Sequence, residues 1–576
     1  MSPRIFLVRR GMVHLIIQAA FFALCLRMAV VQCLYHEHYA ALAGHMEHAT
    51  VARPARRGSI LDRNGHPLAV TVPAQSIWAN PRAIAESERT RVAEQLGETL
   101  DLPPGFVAER LARKKYFVWI QRRVSDEQAE RVHALNLPGV AFVEENTRRY
   151  PNGASLCHVL GFVGADQNGL AGLEAEYDSL LTGQPGEESV LRDGLGRRVG
   201  LSETPAKPVR HGRSLALTVD TRLQRIVEEE LAELDETHRT DAVSAVVMDP
   251  WTGDVLAMAA RPAFNPARFS DASVPARENR AVTVCLEPGS SFKPIVVAAA
   301  LAYGVVTPET IFDCHQGRYR IGSRVLHDAH PLGRLSVRDV IAYSSNIGMA
   351  QICARMTPDD LYEALRAFGF GQRTGIEFPG ESAGILHPTD RWSGLSASSL
   401  AMGQEVSVTP MQLTAAFCVF ANGGWLVQPR LVLGILSNDG KTVLHQAVSP
   451  ARRKILDDAT ARLLCNDLLA GVVERGTARR AALDGYRLAG KTGTAQIART
   501  NVRGYEPGAY SAVFVGIVPA EAPRFVIGLM AQRPKGPSHY GGIVAAPAVA
   551  RIAERMLAVR RVPRAARVVP CSVAMH

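Results

Sequence analysis

The sequence predicts an α+β fold in several domains, attached to a membrane through its N-terminal segment. The chain has 576 residues, more than one ordinary domain accommodates. Its hydrophobic content of 47% and charged content of 21% are typical of a folded globular protein. A mostly apolar run over residues 12–34 predicts the anchor. Strand-turn-strand patterns on either side of a group of helical segments predict an antiparallel sheet with flanking helices.

Residues 12–34 are long enough to cross a bilayer core as a helix, at about 1.5 Å of rise per residue. Arg27 opposes this interpretation, because an arginine at the bilayer centre costs about 3 kcal/mol on insertion scales. It lies about one turn from the middle, so its side chain can extend to the headgroups. The alternative is a cleaved signal peptide, but the nearest Ala-x-Ala site, residues 41–43, lies too far beyond the run. We therefore expect one retained transmembrane helix.

Basic residues around the anchor predict its orientation. Arg4, Arg9 and Arg10 precede the run, and no lysine or arginine follows it before Arg53. Positively charged flanks stay on the cytoplasmic side of a membrane. Residues 1–11 are therefore expected to be cytoplasmic, and the bulk of the chain is expected on the periplasmic or extracellular side of the cell membrane.

The net charge of +10 does not predict a nucleic-acid partner. Lysines and arginines are spread along the chain, and aromatic residues make up only 6% of it. The densest basic segment leads into residues 561–576, a tail predicted to be disordered. The nine cysteines show no Cys-x-x-Cys pair and no zinc spacing, so no metal or cofactor is predicted; their disulfide state stays open.

Residues 51–204 predict a mixed α/β domain. Residues 57–65 and 67–70 have the pattern of a strand, an Asn-Gly turn and a second strand. The charged stretch 81–135 is predicted to be helical. No acid, base or nucleophile cluster with catalytic spacing occurs here, so the predicted role is structural or interactive.

A polar, proline-containing stretch at residues 202–214 predicts the boundary to a larger domain, residues 214–560. Antiparallel hairpins with helices grouped between them indicate a layered α+β fold. The segments predicted at its two ends are a strand at 215–220 whose Asp220 caps a helix over 221–234, a hairpin over 245–259, strands at 511–518 and 524–530, and a helix over 545–559.

Ser290 and Lys293 lie at the predicted start of a buried helix. A Glu-Pro-Gly break at 287–289 precedes them, and residues 292–301 are apolar apart from Lys293. Side chains three residues apart share one face of a helix. A serine hydroxyl becomes a nucleophile when a base accepts its proton, and a lysine is such a base once burial and a nearby cation lower its pKa. A lone Ser-x-x-Lys, however, is most often a helix cap beside a surface lysine.

Ser344-Ser345-Asn346 is predicted to form a loop between helices over 337–343 and 347–356. Such a loop can direct Ser344 and Asn346 into one cleft. Ser344 is suited to pass a proton to a leaving amine, and Asn346 to hydrogen-bond a peptide backbone. Taken alone, the three residues most often cap a helix.

Lys491, Thr492, Gly493 and Thr494 are predicted to lie on a strand. A glycine there permits close approach of a substrate backbone. The lysine and the two hydroxyls suit a terminal carboxylate, and Lys491 is the cation expected to lower the pKa of Lys293.

Two other motifs match a known sequence pattern, but their flanking residues do not fit the structure that the pattern requires. Residues 485–492 satisfy the Walker A pattern, but bulky residues fill its loop and Gly493 follows where a helix should continue. Residues 380–384 satisfy Gly-x-Ser-x-Gly, but the sequence that follows, with Pro388, cannot begin the required helix. Neither a nucleotide site nor a nucleophile elbow is predicted.

In this order, residues 290–293, 344–346 and 491–494 resemble the Ser-x-x-Lys, Ser-x-Asn and Lys-Thr-Gly motifs of the penicillin-interacting serine enzymes. Nearly all of the chain resembles the class B penicillin-binding proteins, the membrane-anchored D,D-transpeptidases of peptidoglycan synthesis. Residues 403–410, with the chain length, look more similar to the division-type (FtsI-like) branch. Other similar segments are 57–65, 169–174, 287–294 and 368–379.

The resemblance implies a β-lactamase/transpeptidase-like fold, an antiparallel sheet flanked by helices, on an elongated pedestal domain over residues 51–204. It implies that Ser290 attacks the penultimate D-Ala carbonyl of a stem peptide, with Lys293 as base and Ser344, near Lys491, as proton shuttle. The hydroxyls of Thr492 and Thr494 would hold the carboxylate. The backbone N–H groups of Ser290 and Thr494 would bind the oxyanion.

The same resemblance implies that β-lactams acylate the nucleophile and stay attached. A lipid-II glycosyltransferase and other division proteins are the implied partners. The acceptor amine is left open, as is an elongation-type or sporulation-type role. A β-lactamase or antibiotic sensor could carry the same motifs, but the long pedestal and the single anchor disfavour both. The alternative of another class is a catalytically silent structural subunit.

Overall fold

A computed structural model describes residues 3–40, 48–192, 198–201, 207–322, 324–499 and 504–564. Residues 202–206 of the predicted boundary and 565–576 of the predicted tail lie outside these ranges. The chain folds as two compact units, residues 1–56 with 183–211 and residues 57–182 with 212–576.

The first unit contains the predicted anchor. A helix, Pro3–Ala29, continues into a π-helical turn, Val30–Leu34, so it begins earlier than predicted. Among the described residues, Arg10–Leu34 is the one segment of helix long and apolar enough to cross a membrane. Three antiparallel strands complete the described part of this unit: His48–Arg53, Gly186–Arg192 and Arg198–Leu201.

Residues 57–182 of the second unit contain the predicted strand-turn-strand, with Ile60–Leu61 antiparallel to Pro67–Ala79. The prediction that 81–135 is all helical is wrong for Val118–Val124, a strand paired with Pro67–Ala79. Its first, third and last residues are buried, a period-two pattern that its two arginines obscure in the sequence. The remaining elements here are Arg89–Leu100, Pro104–Leu111, Asp126–Ala134, Cys157–Leu160, Gly172–Glu176 and Asp178–Leu181, all helices, and the strand Val140–Arg149.

A buried ion cluster joins the segments 57–65 and 169–174. The carboxylate of Glu174 accepts from Arg57 Nε at 2.6 Å and from Arg148 Nε at 2.7 Å, and all three side chains are at most 2% exposed. Arg57 also pairs with Asp178 at 2.6 Å. Charges removed from water remain stable only when they are paired and hydrogen-bonded. Segments more than 100 residues apart are therefore tied together by one carboxylate.

We expect Glu174→Ala to lower the free energy of unfolding by about 3–5 kcal/mol, because two guanidinium groups lose their shared buried partner. Thermal unfolding in detergent measures the effect. Glu176→Ala is the matched control, since Glu176 is exposed on the same helix. Equal melting temperatures for the two variants would contradict a stabilising role for the cluster.

Five antiparallel strands form the central sheet of the second unit. The predicted hairpin and both predicted late strands are confirmed, and the strand predicted at 511–518 begins six residues earlier, at Tyr505. The strand at one edge carries the Lys-Thr-Gly segment, so half of its backbone groups face away from the sheet. The strand order is Val255–Arg261, Ala242–Met248, Phe525–Gln532, Tyr505–Val518 and Ala489–Ala498.

Helices cover this sheet on both faces. Gly541–Val559 packs on Tyr505–Val518 and on Thr221–His238, whereas Pro410–Ala421 packs on Phe525–Gln532. Every residue of Ala242–Met248 is buried, as expected for a strand covered on two sides. The predicted α+β class is thereby confirmed.

A mixed sheet and one hydrophobic core join residues 57–182 to the rest of this unit. Ile60 and Leu173 belong to the same buried cluster as Val246 and Phe514, and a separate cluster surrounds Leu96. The strand order of the mixed sheet is Val443–Gln446, Val432–Leu436, Ser214–Leu217, Ile60–Leu61, Pro67–Ala79 and Val118–Val124, with Val140–Arg149 also paired to Pro67–Ala79.

Shorter elements fill the chain between the strands of the central sheet. The helices are Arg280–Thr283, Lys293–Ala302, Val337–Tyr343, Asn346–Cys353, Pro358–Ala367, Ser396–Leu400, Asp458–Leu463 and Ala470–Glu474. The strand pairs are Ile311–Asp313 with Arg334–Ser336, Arg318–Ile321 with Arg324–His327, Ile385–Leu386 with Val406–Ser407, and Trp425–Val427 with Arg452–Lys454.

Candidate active site

Ser290 lies on a 3₁₀ turn, Gly289–Phe292, that leads directly into the helix Lys293–Ala302. This agrees with the helix start predicted from the sequence. Ser290 is half-exposed, whereas its neighbour Ser291 is buried and donates from Oγ to the backbone oxygen of Pro288 at 2.6 Å. Of the two adjacent hydroxyls, only that of Ser290 is accessible.

The edge strand and a second loop hold this turn in place. A Cβ on Gly493 would lie 2.6 Å from the backbone oxygen of Pro288 and 3.0 Å from Ser291 Oγ. The N–H of Gly289 donates to the backbone oxygen of Gly403 at 3.1 Å. The close approach that Gly493 permits is thus to the turn of Ser290, whereas the sequence suggested a substrate backbone. Any larger residue at 493 would displace the turn.

The side chain of Lys293 is fully buried beneath the loop that carries Ser344. Its Nζ donates to the backbone oxygen of Ser344 at 2.6 Å, to Ser344 Oγ at 3.2 Å and to Asn346 Oδ1 at 2.8 Å. Asn346 Nδ2 donates to the backbone oxygen of His327 at 2.9 Å. Both ends of the Asn346 amide are bonded within the protein, so this side chain orients Lys293.

Ser344 connects two buried lysines. It ends the helix Val337–Tyr343 with a left-handed backbone, φ = 61°, as expected for a helix C-terminus. Its Oγ accepts from Lys491 Nζ at 2.9 Å and from Lys293 Nζ at 3.2 Å. A hydroxyl between two amines can accept a proton from one and pass its own to another group.

Burial lowers the pKa of both lysines. The pKa of Lys293 falls from 10.5 to about 7, chiefly through burial, and the Asp328 carboxylate opposes part of this shift. The pKa of Lys491 lies well below 10.5, first because of burial and second because of the charge on Lys293. Two cations so close repel each other, so the pair does not hold two protons at neutral pH. An unprotonated amine is therefore available.

The Lys-Thr-Gly segment lies on the edge strand Ala489–Ala498, as predicted. Thr494 is half-exposed, and its Oγ1 accepts from the N–H of Gly541 at 3.1 Å. Thr492 is mostly buried and shares a hydrogen bond with Thr477 at 2.8 Å. The Walker-like segment ends inside this strand, which continues to Ala498 where a P-loop would begin a helix.

Asp328 belongs to the site, although no sequence motif identifies it. Its carboxylate accepts from the N–H of Asn346, from the N–H of Ile347 at 3.2 Å and from Ser345 Oγ at 2.7 Å. It therefore fixes the start of the helix Asn346–Cys353 and the loop before it. Asp328 is 18 residues from Asn346 in sequence, so no local spacing could reveal the contact.

We expect Asp328→Asn to slow acylation of Ser290 by about 10–100-fold, because the amide nitrogen that replaces one carboxylate oxygen cannot accept the hydrogen bond made to that oxygen, which helps to position the Ser344 loop. Since the carboxylate raises the pKa of Lys293, the midpoint of the rate against pH should also shift to lower pH. Acylation rates measured between pH 5 and 9 test both effects. Asp313→Asn, exposed at the end of a neighbouring strand, is the control. An unshifted midpoint in Asp328→Asn would contradict the electrostatic effect of Asp328 on Lys293.

A polar cavity of about 350 Å³ opens at Ser290. Asn346 and Thr494 also line it, whereas Lys293 and Lys491 lie buried behind. From Thr494 the cavity follows the edge strand to Gln496, away from Lys491. The remaining lining residues are Gly289, Arg324, Val325, Leu326, His327, Met402, Gln404, Ala495 and Tyr510.

An accessible serine, two buried lysines and a bridging hydroxyl beside a sheet edge define the class of penicillin-interacting serine enzymes. Residues 243–554 match the family model described as the penicillin binding protein transpeptidase domain, and residues 52–217 match the penicillin-binding protein dimerisation domain. The chain belongs to the class B penicillin-binding proteins.

Relatives and solved structures agree with this assignment. The probable peptidoglycan D,D-transpeptidase PenA of Neisseria gonorrhoeae is 35% identical over 506 residues, 87% of this chain and 84% of that protein. The peptidoglycan D,D-transpeptidase FtsI of Escherichia coli is 33% identical, over 85% and 81%. Penicillin binding protein 3 of Mycobacterium tuberculosis, in complex with ampicillin, superposes with a TM-score of 0.70 at 29% identity, over 90% and 98%.

Proposed function

We propose that the protein is a peptidoglycan D,D-transpeptidase that cross-links stem peptides through an acyl-enzyme on Ser290. The observation that carries this proposal is the Ser344 hydroxyl between the buried amines of Lys293 and Lys491, at 3.2 and 2.9 Å. This arrangement supplies a base for the nucleophile and a path for the proton.

In the first half-reaction, Ser290 Oγ attacks the carbonyl of the penultimate D-Ala and neutral Lys293 accepts the hydroxyl proton. The proton then passes through Ser344 to the nitrogen of the terminal D-Ala, which leaves as an amine. The product is an ester between the donor peptide and Ser290. In the second half-reaction, an acceptor amine attacks this ester, loses its proton along the same path, and restores the serine.

The substrate is oriented by the edge strand in this proposal. The hydroxyls of Thr492 and Thr494 hold the terminal carboxylate close to the charge of the lysine pair, and Gly493 keeps the strand against the Ser290 turn. The N–H groups of Ser290 and Thr494 bind the oxyanion. The start of a 3₁₀ turn and the edge of a sheet both leave backbone N–H groups without partners in their own element, which supports this assignment.

We further propose a pedestal domain over residues 51–204 and a transpeptidase domain over 214–560, supported by the two family matches. Three arginines before residue 11 support a cytoplasmic N-terminus with the catalytic domain outside the cytoplasmic membrane. Similarity to FtsI supports a role in septal synthesis, with a lipid-II glycosyltransferase and division proteins as partners. Elongation-type and sporulation-type roles are the alternatives.

Cross-linking of nascent glycan strands tests the activity. The detergent-solubilised protein is mixed with glycan polymer bearing pentapeptides, and cross-linked dimers and free D-Ala are measured with and without a penicillin. Dimers that disappear when the penicillin is added support a transpeptidase. Rapid turnover of a fluorescent penicillin would favour a β-lactamase. The absence of any adduct would favour a catalytically silent subunit.

A further inference from the structure

Arg324 places a positive charge in the cavity of Ser290. Its guanidinium donates from Nη1 to Ser399 Oγ at 3.0 Å and from Nη2 to Gln404 Oε1 at 3.1 Å, and both partners are neutral. Within the described part of the chain, no ion pair includes Arg324. Arg338, also half-buried, instead pairs with two carboxylates. A partly buried guanidinium with neutral partners alone keeps capacity for an anion.

The hairpin that carries Arg324 directs it toward the cavity. Strand Arg324–His327 pairs with Arg318–Ile321, and Leu326, two residues after Arg324 on the same face, packs in a buried cluster with Met402. Arg324 is the one residue lining the cavity that is charged regardless of pH.

Among the described residues, Glu287 and Glu405 are the acidic residues on the segments beside Arg324 and Gln404. Glu287 accepts from the hydroxyl of Tyr505 at 2.9 Å and from the N–H of Glu405 at 3.0 Å. The side chain of Glu405 is exposed. Neither carboxylate lies within ion-pair distance of Arg324, so the guanidinium remains available to a ligand.

We propose that Arg324 binds a second carboxylate of the donor peptide, on the part that stays attached to Ser290. This inference rests on the proposed transpeptidase function. The terminal carboxylate belongs to the leaving D-Ala and is assigned to Thr492 and Thr494. Because the cavity continues from Thr494 along the strand to Gln496, the retained part of the donor lies there. An acidic group on that part can reach Arg324, so the enzyme selects donor peptides that carry one.

Benzylpenicillin and carbenicillin test the proposal, because they share one bicyclic nucleus and differ by a carboxylate on the side chain. The second-order acylation rate of the full-length protein is measured with each. In Arg324→Gln, the ratio of the carbenicillin rate to the benzylpenicillin rate should fall about tenfold, the size of one charge-assisted contact in a half-open cavity. In the wild type, added salt should lower the same ratio.

Two further variants separate the explanations. Arg324→Lys keeps the charge and should recover part of the ratio, and Arg320→Gln, exposed on the same hairpin, should leave it unchanged. Equal loss with both penicillins would show that Arg324 only holds Ser399 and Gln404, and would overturn the proposal. An unchanged ratio would overturn it as well. If wild-type protein reacted with neither penicillin, the transpeptidase function itself would fail.

Discussion

Substitution of Ser290 by alanine is expected to abolish covalent labelling by a fluorescent penicillin and to lower cross-linking by on the order of 10⁶-fold. The effect is this large because Ser290 Oγ forms the bond that holds the acyl group. Without that ester, the acceptor amine would have to attack the much less reactive peptide bond directly. Labelling is read as fluorescence of the denatured protein on a gel, where only a covalent adduct survives.

Ser291→Ala is the matched control for this experiment. Ser291 is adjacent in sequence, but its Oγ is buried and donates to the backbone of Pro288. Its loss removes one internal hydrogen bond, about 1 kcal/mol of stability, and should leave the label in place. A stable adduct on Ser290→Ala would assign the nucleophile to another residue. Loss of label in both variants would indicate a disturbed turn.

The local elements of the site could be predicted from the sequence because each depends on neighbouring residues. A glycine and a proline set the start of the helix after Ser290, and polar residues between two apolar runs set the loop of Ser344. The order of the three motifs along the chain added the family resemblance, and the family match agrees with it.

Long-range contacts could not be predicted in this way. Asp328 and Arg324 lie on a hairpin whose short strands carry no catalytic spacing. Their roles depend on contacts that form only in the folded chain, between Asp328 and Asn346 and between Arg324 and Gln404. The sequence explains Gly493 by the close approach of a substrate backbone, whereas packing against Pro288 in the folded chain requires a residue without a side chain. The two arginines of the strand Val118–Val124 favour a charged helix in the sequence, although the first, third and last residues of this strand are buried.

Burial explains why Lys293 and Lys491 can lose their protons near neutral pH, whereas a lysine in water stays protonated. Their stems lie under the sheet edge and the Ser344 loop, so the charged form is penalised. The fold thereby produces a base from a residue that would be protonated in water. Such a site costs stability, and it is tolerated because the amines are hydrogen-bonded to Ser344 and Asn346.

Lys293→Arg is expected to slow acylation by about 10²–10⁴-fold, although the substitution keeps a hydrogen-bonding cation at the same position. A guanidinium stays protonated under all conditions in which the protein is folded, so it cannot accept the Ser290 proton. Lys293→Ala should lose a similar factor. If Lys293→Arg kept the wild-type rate, Lys293 would serve only as a positive charge and Lys491 would have to be the base.

The pH dependence of the wild-type rate tests the same role without a mutation. Burial brings the pKa of Lys293 to about 7. Below that pH the amine carries a proton and cannot act as a base; above it the amine is neutral. The acylation rate should therefore rise with pH through a midpoint near 7 and then level off, and Lys293→Arg should lose this rise. A rate that instead fell between pH 6 and 8 would require a protonated lysine in the attack step, because deprotonation is the only change expected at Lys293 over that interval.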